Sequence, residues 1–517
     1  MSRPGGRWRV DWQGPIGRPG GLGGASRQYV RALRRAGLPV RASARIGLPP
    51  SGSSGGGAGS SGRRMLVYHH PPHTLDADEA RRRGYDRVVL NTVWETTRVP
   101  ARWRGAIDRY DAVIVPSRHN VKALRDSGVT VPVHLAPHGV DSRRFRPGRR
   151  PAGVPEASGR FVFLSVFSFQ HRKNPEALLR AYAEEFSDKD RVLLVVKTSG
   201  WKDEGGAVGA ERRIRRYLDT LRLPHRPAPV RVISGQIGEG RLQGLYAAAN
   251  AFVLPTRGEG VGMPFMEALA SGVPVIAPRW GGQADFLTDA NSFSVPYRLR
   301  PPAESMQGRG AISRSFRGLF AQKGQLWAEA DLAGLKRQMR AASRDRALCA
   351  RKGRQGRRDM QAFSWEAAGR KLRQALERIG SEPGAAGGPR RGAREPGTAI
   401  VSRKGARKPR ETANVSREGA RKPGTAIVSR EGVRKRGTAR RGGALEPETE
   451  IVSRKGGRRP GASSRKRGKR GRRLAGLGPN TRRRASTRLL RSALPRRSRR
   501  STGSRPTGPR AGKGGRS

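Results

Sequence analysis

The chain has 517 residues, 107 Lys and Arg against 40 Asp and Glu, and a formal charge of +67, with 70 glycines, 37 prolines and 35% hydrophobic residues. Such a composition excludes a chain that packs along its whole length, and the charge implies attraction to polyanions without specifying a fold. The single cysteine, Cys349, excludes an internal disulfide framework and a cysteine-based zinc site. No apolar run approaches the roughly 18 residues of a membrane span, and the start MSRPGGRWRVDWQG lacks an apolar h-region, so a cytoplasmic protein is expected.

In chain order, Trp8 to Trp12 reads as a short strand. The loop GPIGRPGGLGGAS follows, leading into the amphipathic helix QYVRALRRAG, in which Tyr29, Val30 and Leu33 share a face. Gly20, Gly21 and Gly23 make this a phosphate-friendly turn, but the spacing is not a dinucleotide fingerprint and no acid follows some 20 positions on, which argues against a nicotinamide cofactor. Residues 51–62, SGSSGGGAGSSG, form a flexible loop by composition. MLVYHHPPH, DRVVLNTVWETT, DAVIVPS and VPVHLAPHGVD are apolar runs ending in polar residues, the pattern of successive parallel strands. His69, His70, His73 and Glu95 fall just after strand ends, on the side where open α/β sheets place ligands. Adjacent histidines on an extended segment point to opposite faces and have no acidic partner nearby, so no metal is expected.

A second α/β unit begins at Arg160. FVFLSVFSF, VLLVVKT and Val230 to Ser234 read as strands, and HRKNPEALLRAYAEEF as a basic turn followed by a helix. Arg172 and Lys173 stand at that turn, where cations can meet a phosphate. The stretch GEGVGMPFMEALASG, Gly258 to Gly272, lies between two short apolar runs and reads as a loop and a helix between parallel strands. Gly260 and Gly262 let the backbone approach an anion, the free amides near Met263 and Phe265 can donate to it, and Pro264 suits a first helical turn. Glu259 and Glu267 are acceptor-only when ionised, so their partners are hydroxyl groups. PRWGGQAD, Pro278 to Asp285, is another loop at a strand end, and Leu332 to Met339 and Phe363 to Ile379 are amphipathic terminal helices.

From Ser381 onward there is no Phe, Tyr, Trp or Asp. The segment holds 41 Lys and Arg against 8 Glu, so it supplies +33 of the +67, and a 13-residue basic unit recurs within it. It is expected to be disordered and to bind anions without sequence preference, whether nucleic acid or an anionic membrane surface. An equal alternative is a repeat-expanded segment with no selected role.

The stretch RVISGQIGEGRLQGLYAAANAFVLPTRGEGVGMPFMEALASGVPVIAPRWGG closely resembles the second domain of group 1 (family-four-like) retaining glycosyltransferases, in which two glutamates are separated by seven residues as Glu259 and Glu267 are here. VIVPSRHNVKAL, LAPHGVDSRRFRP, the glycine-rich first loop and the closing FSWE helix extend the likeness over residues 7–380. The resemblance implies the α/β GT-B fold of two Rossmann-like domains facing a cleft. The first, acceptor-side domain would occupy residues 1–150, the nucleotide-sugar domain 158–362, a helix returning towards the first domain 363–380, and the basic tail 381–517. It further implies a nucleotide-diphosphate sugar as donor substrate, no cofactor or metal, and a glycan, lipid-linked or small-molecule acceptor. The donor pyrophosphate would sit on the amides around Gly260, Gly262 and Met263 with Lys173, Glu267 would take ribose hydroxyls, and Glu259 would take sugar hydroxyls. Two departures from the family stand out. Its arginine five residues before the lysine is Ser168 here, with Arg172 as the substitute, and its first-domain histidine is replaced around Trp94 and Glu95, leaving Glu95 or His70 to orient the acceptor. Two other functions fit the same sequence: a nucleic-acid-binding protein acting through its tail, and a catalytically inactive sensor of sugar nucleotides.

Overall fold

A computed structural model of the chain describes residues 8–48, 62–199, 205–307, 313 and 316–382. The flexible loop at 51–62, apart from Gly62, and the tail beyond Glu382 lie outside the described residues. Six strands build the first sheet: β1 (Arg9–Gln13), β2 (Val40–Ser43), β3 (Arg64–Tyr68), β4 (Arg87–Asn91), β5 (Ala112–Val115) and β6 (Val133–Leu135). Their spatial order is β2-β1-β3-β4-β5-β6, with every pair parallel. The second sheet comprises β7 (Phe161–Ser168), β8 (Val192–Ser199), β9 (Val230–Ser234), β10 (Ala251–Val253), β11 (Val275–Ala277) and β12 (Ser292–Ser294). It is again all parallel, in the order β12-β11-β10-β7-β8-β9. Strands β4, β5, β10 and β11 are buried at every position, which is why they read as unbroken apolar runs and not as alternating ones.

Each order reverses direction at one place, between β1 and β3 in the first sheet and between β7 and β10 in the second. Crossover connections leave such strands in opposite senses, so a crevice opens beyond their carboxyl ends. The loop after β1 ends at Gly20, with Gly21 to Gly23 opening the following helix, the loop after β3 carries His69 to His70, and those after β7 and β10 carry Arg172 to Lys173 and Glu259.

Two connections join the sheets. The last helix, Trp365–Ser381, lays Trp365, Leu372, Leu376 and Ile379 into the same core as Val10, Trp12, Tyr29 and Leu33 of the first sheet and its helix. Gly369 permits that approach, since a Cβ there would stand 2.6 Å from the Ala32 Cβ. Sequence patterns did not anticipate the second connection. The described residues of 297–330 leave the second sheet as a strap containing β13 (Tyr297–Arg300) and β14 (Trp327–Ala330), an antiparallel pair, and the helices Pro302–Gln307 and Arg317–Phe320. Phe320 and Trp327 of the strap are buried in one cluster with Val113 of the first sheet and with Trp94 and Trp103, which follow β4 on a loop and a helix. At about 1.5–3 kcal/mol for a large apolar side chain taken from water, the two rings alone tie the strap firmly to the first sheet. A helix over Arg346–Asp359 was also unanticipated, because five arginines and two glycines mask its narrow apolar face. Among the described residues no helix is long and apolar enough to cross a membrane.

The two halves also meet at two glycines of the loop after β10. A Cβ on Gly258 would stand 2.1 Å from the Glu95 carbonyl oxygen, and one on Gly260 would stand 1.8 Å from Val93 Cγ2. Ser117 Oγ donates to the Gly260 carbonyl at 2.8 Å, which fastens the same contact from the first sheet. Gly260→Ala is therefore expected to destabilise the protein by about 1–3 kcal/mol, the usual cost of overpacking, and Val93→Ala in the same chain to restore most of the loss. Denaturant unfolding of the two single variants and the double variant checks this.

Candidate active site

The site grows from the turn after β7. Residues His171–Lys173 form one 3-10 turn, and Asn174 ends it at φ 55°, a left-handed conformation that asparagine tolerates, while its side chain caps the helix Pro175–Glu185 by accepting from the Ala177 amide at 3.3 Å. The turn aims Arg172 and Lys173 at the loop that follows β10, across the crevice of the second sheet. Lys173 Nζ meets Glu259 Oε1 at 2.5 Å, and Arg172 Nη1 meets Glu259 Oε2 at 3.2 Å. Arg172 Nη2 also reaches Glu95 Oε1 of the first half at 3.3 Å. Thr256 Oγ1 donates to Glu259 Oε1 at 3.1 Å, and Arg172 donates to the Gly258 carbonyl. Two acids and two bases thus share one buried cluster, and Arg172 bridges the two halves.

Environment separates the acids. Burial alone would raise Glu259, but Lys173 and Arg172 hold it below the usual carboxylate range. Glu95 is raised, because burial and the neighbouring Glu259 outweigh Arg172 and Lys173. Lys173 is lowered by burial and by Arg172, against the pull of Glu259. Glu267 stands apart on the helix Met263–Ala270, where Tyr246 donates its phenol to Oε2 at 2.8 Å. Burial pushes this carboxyl up to about 7, with the Tyr246 hydrogen bond opposing and the Glu239 charge adding.

The glycines of the motif behave differently from expectation. The face of Gly260 is filled by Val93 and does not lie open to an anion. Gly262 adopts φ 89° to start the helix, and a Cβ there would stand 2.5 Å from the Phe265 ring. The Phe265 amide is not free either, since it donates to the Gly262 carbonyl at 3.0 Å. Met263, at the first helical position, packs against the first-sheet core. The PRWGG loop supports the motif from behind, with the Gly282 amide donating to the Glu259 carbonyl at 2.7 Å.

On the first sheet, Gly20 at φ 93° precedes a helix that already starts at Gly21, and the sites of Cβ atoms on Gly20 and Gly21 are open. Gly23 is needed for internal packing, its missing Cβ facing the Arg18 carbonyl oxygen at 2.1 Å. His70 is buried, with Nε2 unpartnered among the described residues, and burial with the Arg18 charge pulls it down to about 4. It is a neutral imidazole near neutral pH. No hydrogen bond or ion pair found among the described residues links His70 or the Gly20 to Gly23 turn to Glu95 or Glu259; the structure joins Glu95, Arg172, Lys173 and Glu259 only. Trp94, beside Glu95, is a core residue: its ring meets Trp103 edge-on at 4.9 Å and Phe320 at a tilt at 5.2 Å, and its indole donates to the Thr96 hydroxyl at 2.7 Å. Ser168 ends β7, and the Arg172 guanidinium reaches the acids in its stead. Among the described residues no group of three His, Cys, Asp or Glu is placed to hold a metal.

Thr256 and Tyr246 belong to the site and were not anticipated. Thr256 sits next to the motif without altering its pattern, and Tyr246 lies 21 residues from Glu267 on another helix, the segment Glu239–Ala248.

Residues 150–297 match the family model described as glycosyl transferases group 1. The chain is 32% identical over 187 residues to D-inositol 3-phosphate glycosyltransferase of Corynebacterium jeikeium, covering 34% of this chain and 43% of that protein. It is 28% identical over 185 residues to alpha-monoglucosyldiacylglycerol synthase of Streptococcus pneumoniae, covering 34% of this chain and 38% of that protein. The matches thus span about two fifths of the length of these relatives. Sucrose-phosphate synthase from Thermosynechococcus elongatus superposes with a TM-score of 0.51 at 20% identity, over 72% of this chain and 99% of that one, and so shares the fold. The two Rossmann-like domains are the GT-B architecture, and the second of them carries the segment that matches group 1 glycosyltransferases.

The raised carboxyl of Glu267 makes a linkage test. Its folded value of about 7 lies above the ordinary 4.5, so the fold favours the protonated form; that contribution is complete below 4.5 and is lost as pH rises through about 7. Relative to Glu267→Gln, the unliganded protein is expected to lose on the order of 2 kcal/mol between those limits. Urea unfolding of both proteins across that range measures it.

Proposed function

We propose that the protein transfers a sugar from a nucleotide-diphosphate donor to an acceptor hydroxyl, with retention of anomeric configuration. The observation that carries this is the position of Arg172, Lys173 and Glu259 together at the switch point of the second sheet, with Glu267 one helix turn beyond. Cations there suit a diphosphate, and the acceptor-only carboxylate of Glu259 suits a hydroxyl.

In the free protein Lys173 and Glu259 satisfy one another. Donor binding exchanges that pair for two others: Lys173 and Arg172 take diphosphate oxygens, and Glu259 takes a sugar hydroxyl. Glu267, oriented by Tyr246, takes the ribose hydroxyls, and the first turn of its helix faces the diphosphate with its positive end. The bond between the anomeric carbon and the phosphate oxygen then breaks, and charge accumulates on the leaving diphosphate beside the two cations. The acceptor hydroxyl attacks from the same face and gives its proton to the departing phosphate. Glu95 and the neutral His70 mark the first-domain side, where an acceptor is held; it is a glycan, a lipid-linked species or a small molecule. Reaction is placed in the cytoplasm. The basic tail binds a polyanionic surface, membrane or nucleic acid, and takes no part in turnover.

A second function has one observation in its favour: both cations are already paired with carboxylates, and Ser168 removes the further arginine of the family pattern. A sugar-nucleotide sensor would bind donor without turning it over. Nucleotide release with a panel of UDP and GDP sugars separates the two. Wild-type protein is expected to release nucleotide, Lys173→Ala to lower kcat by about 100- to 1000-fold, and Glu267→Ala to lower kcat/KM by about 100-fold. Turnover unaffected by Glu267→Ala would overturn the proposal, and saturable donor binding without release would establish the sensor.

A further inference from the structure

The two cations owe their place to a residue of the loop they face. Arg257, two positions before Glu259, is 4% exposed. Its amide donates to the Arg172 carbonyl at 2.8 Å, and its Nη1 donates to the His171 carbonyl at 2.6 Å. One side chain and its own backbone therefore hold two successive carbonyls of the cation turn. The rest of the guanidinium is gripped from outside the sheet: Nε and Nη2 donate to the two carboxylate oxygens of Glu329 on β14, at 2.6 and 2.9 Å. This is a bidentate pair, the geometry that fixes a guanidinium plane as well as its position. The Arg257 carbonyl accepts from the Ala328 amide at 2.9 Å, and Ser305 of the strap meets His171 Nε2 at 3.1 Å.

The strap is itself anchored to the first sheet. The Thr97 amide donates to the Leu326 carbonyl at 3.0 Å, the Leu326 amide to Thr97 Oγ1 at 2.9 Å, and Phe320 packs at a tilt against Trp94, the neighbour of Glu95. One continuous path of hydrogen bonds and packed rings thus runs from the Glu95 loop through the strap to Arg257 and on to the turn bearing Arg172 and Lys173.

We propose that Glu329 and Arg257 are positioning residues, through which the strap sets the cation turn against Glu259 and Glu95 in advance of donor binding. The role in catalysis rests on the donor-site function proposed above; the mechanical coupling does not. Neither residue touches the reacting atoms. Loss of the bidentate pair leaves the cations present but free to rotate away from the diphosphate, so the effect appears in turnover through Lys173.

Hydrogen exchange of the unliganded full chain reads the coupling directly. Glu329→Gln is expected to speed exchange of the Arg257 amide about tenfold while exchange in β8 stays unchanged, and Glu329→Asp, which keeps the charge but shortens the reach, to give an intermediate rate. In donor kinetics Glu329→Gln is expected to lower kcat/KM about tenfold, and by less than about twofold when added to Lys173→Ala, because the group it positions is already gone. Unchanged exchange at Arg257 overturns the inference, and so does a full Glu329→Gln loss in the Lys173→Ala background. Faster exchange at Arg257 in a protein that releases nucleotide from no donor sustains the coupling and refutes the donor-site function instead.

Discussion

The whole site depends on two glycines having no side chain. Gly258 and Gly260 let the loop after β10 press its backbone on the loop after β4, so that Glu259 from one sheet and Glu95 from the other come within reach of the same guanidinium. A methyl group at either position would stand at a distance that non-bonded atoms do not tolerate. In many phosphate-binding loops glycine serves the approach of the ligand; in the loop after β10, Gly260 serves the approach of the neighbouring domain.

That contact buries charge, and burial is costly unless the charges answer one another. Glu259 is compensated by Lys173 and Arg172 and stays ionised, whereas Glu95 is only partly compensated and Glu267 has a phenol as its partner. Three carboxyl groups of one site thus differ in character because their surroundings differ. The cluster is internally neutralised, each cation having a carboxylate partner. The strap touches both halves, through the Glu329 pair with Arg257 on one and through Leu326 with Thr97 and Phe320 with Trp94 on the other.

Much of this was legible in the chain. Buried parallel strands show as short apolar runs, so the alternation of strand and helix and the place of the HRK turn and the GEGVG loop at strand ends followed from pattern alone. The spacing of Glu259 and Glu267 pointed to the family, and the family model matches that segment. Strand ends and helix starts were less exact: the first helix begins at Gly21, inside the glycine-rich stretch read as loop, because open space around Gly20 and Gly21 lets the chain turn into the helix there. The strap was missed because its strands are short, one with every side chain exposed, and its apolar residues Phe320 and Trp327 are spent on a distant partner.

The sequence by itself determined the two-sheet α/β architecture, the identity of the acids and bases, and their order along the chain, since hydrophobic periodicity and turn chemistry are local properties. Only the tertiary structure decided which of them meet. Arg172 bridging Glu95 and Glu259, Tyr246 orienting Glu267, and Glu329 holding Arg257 join residues 77, 87, 21 and 72 positions apart. Such pairings depend on strand order and on the close approach of two loops, neither of which leaves a mark in the spacing of the residues involved.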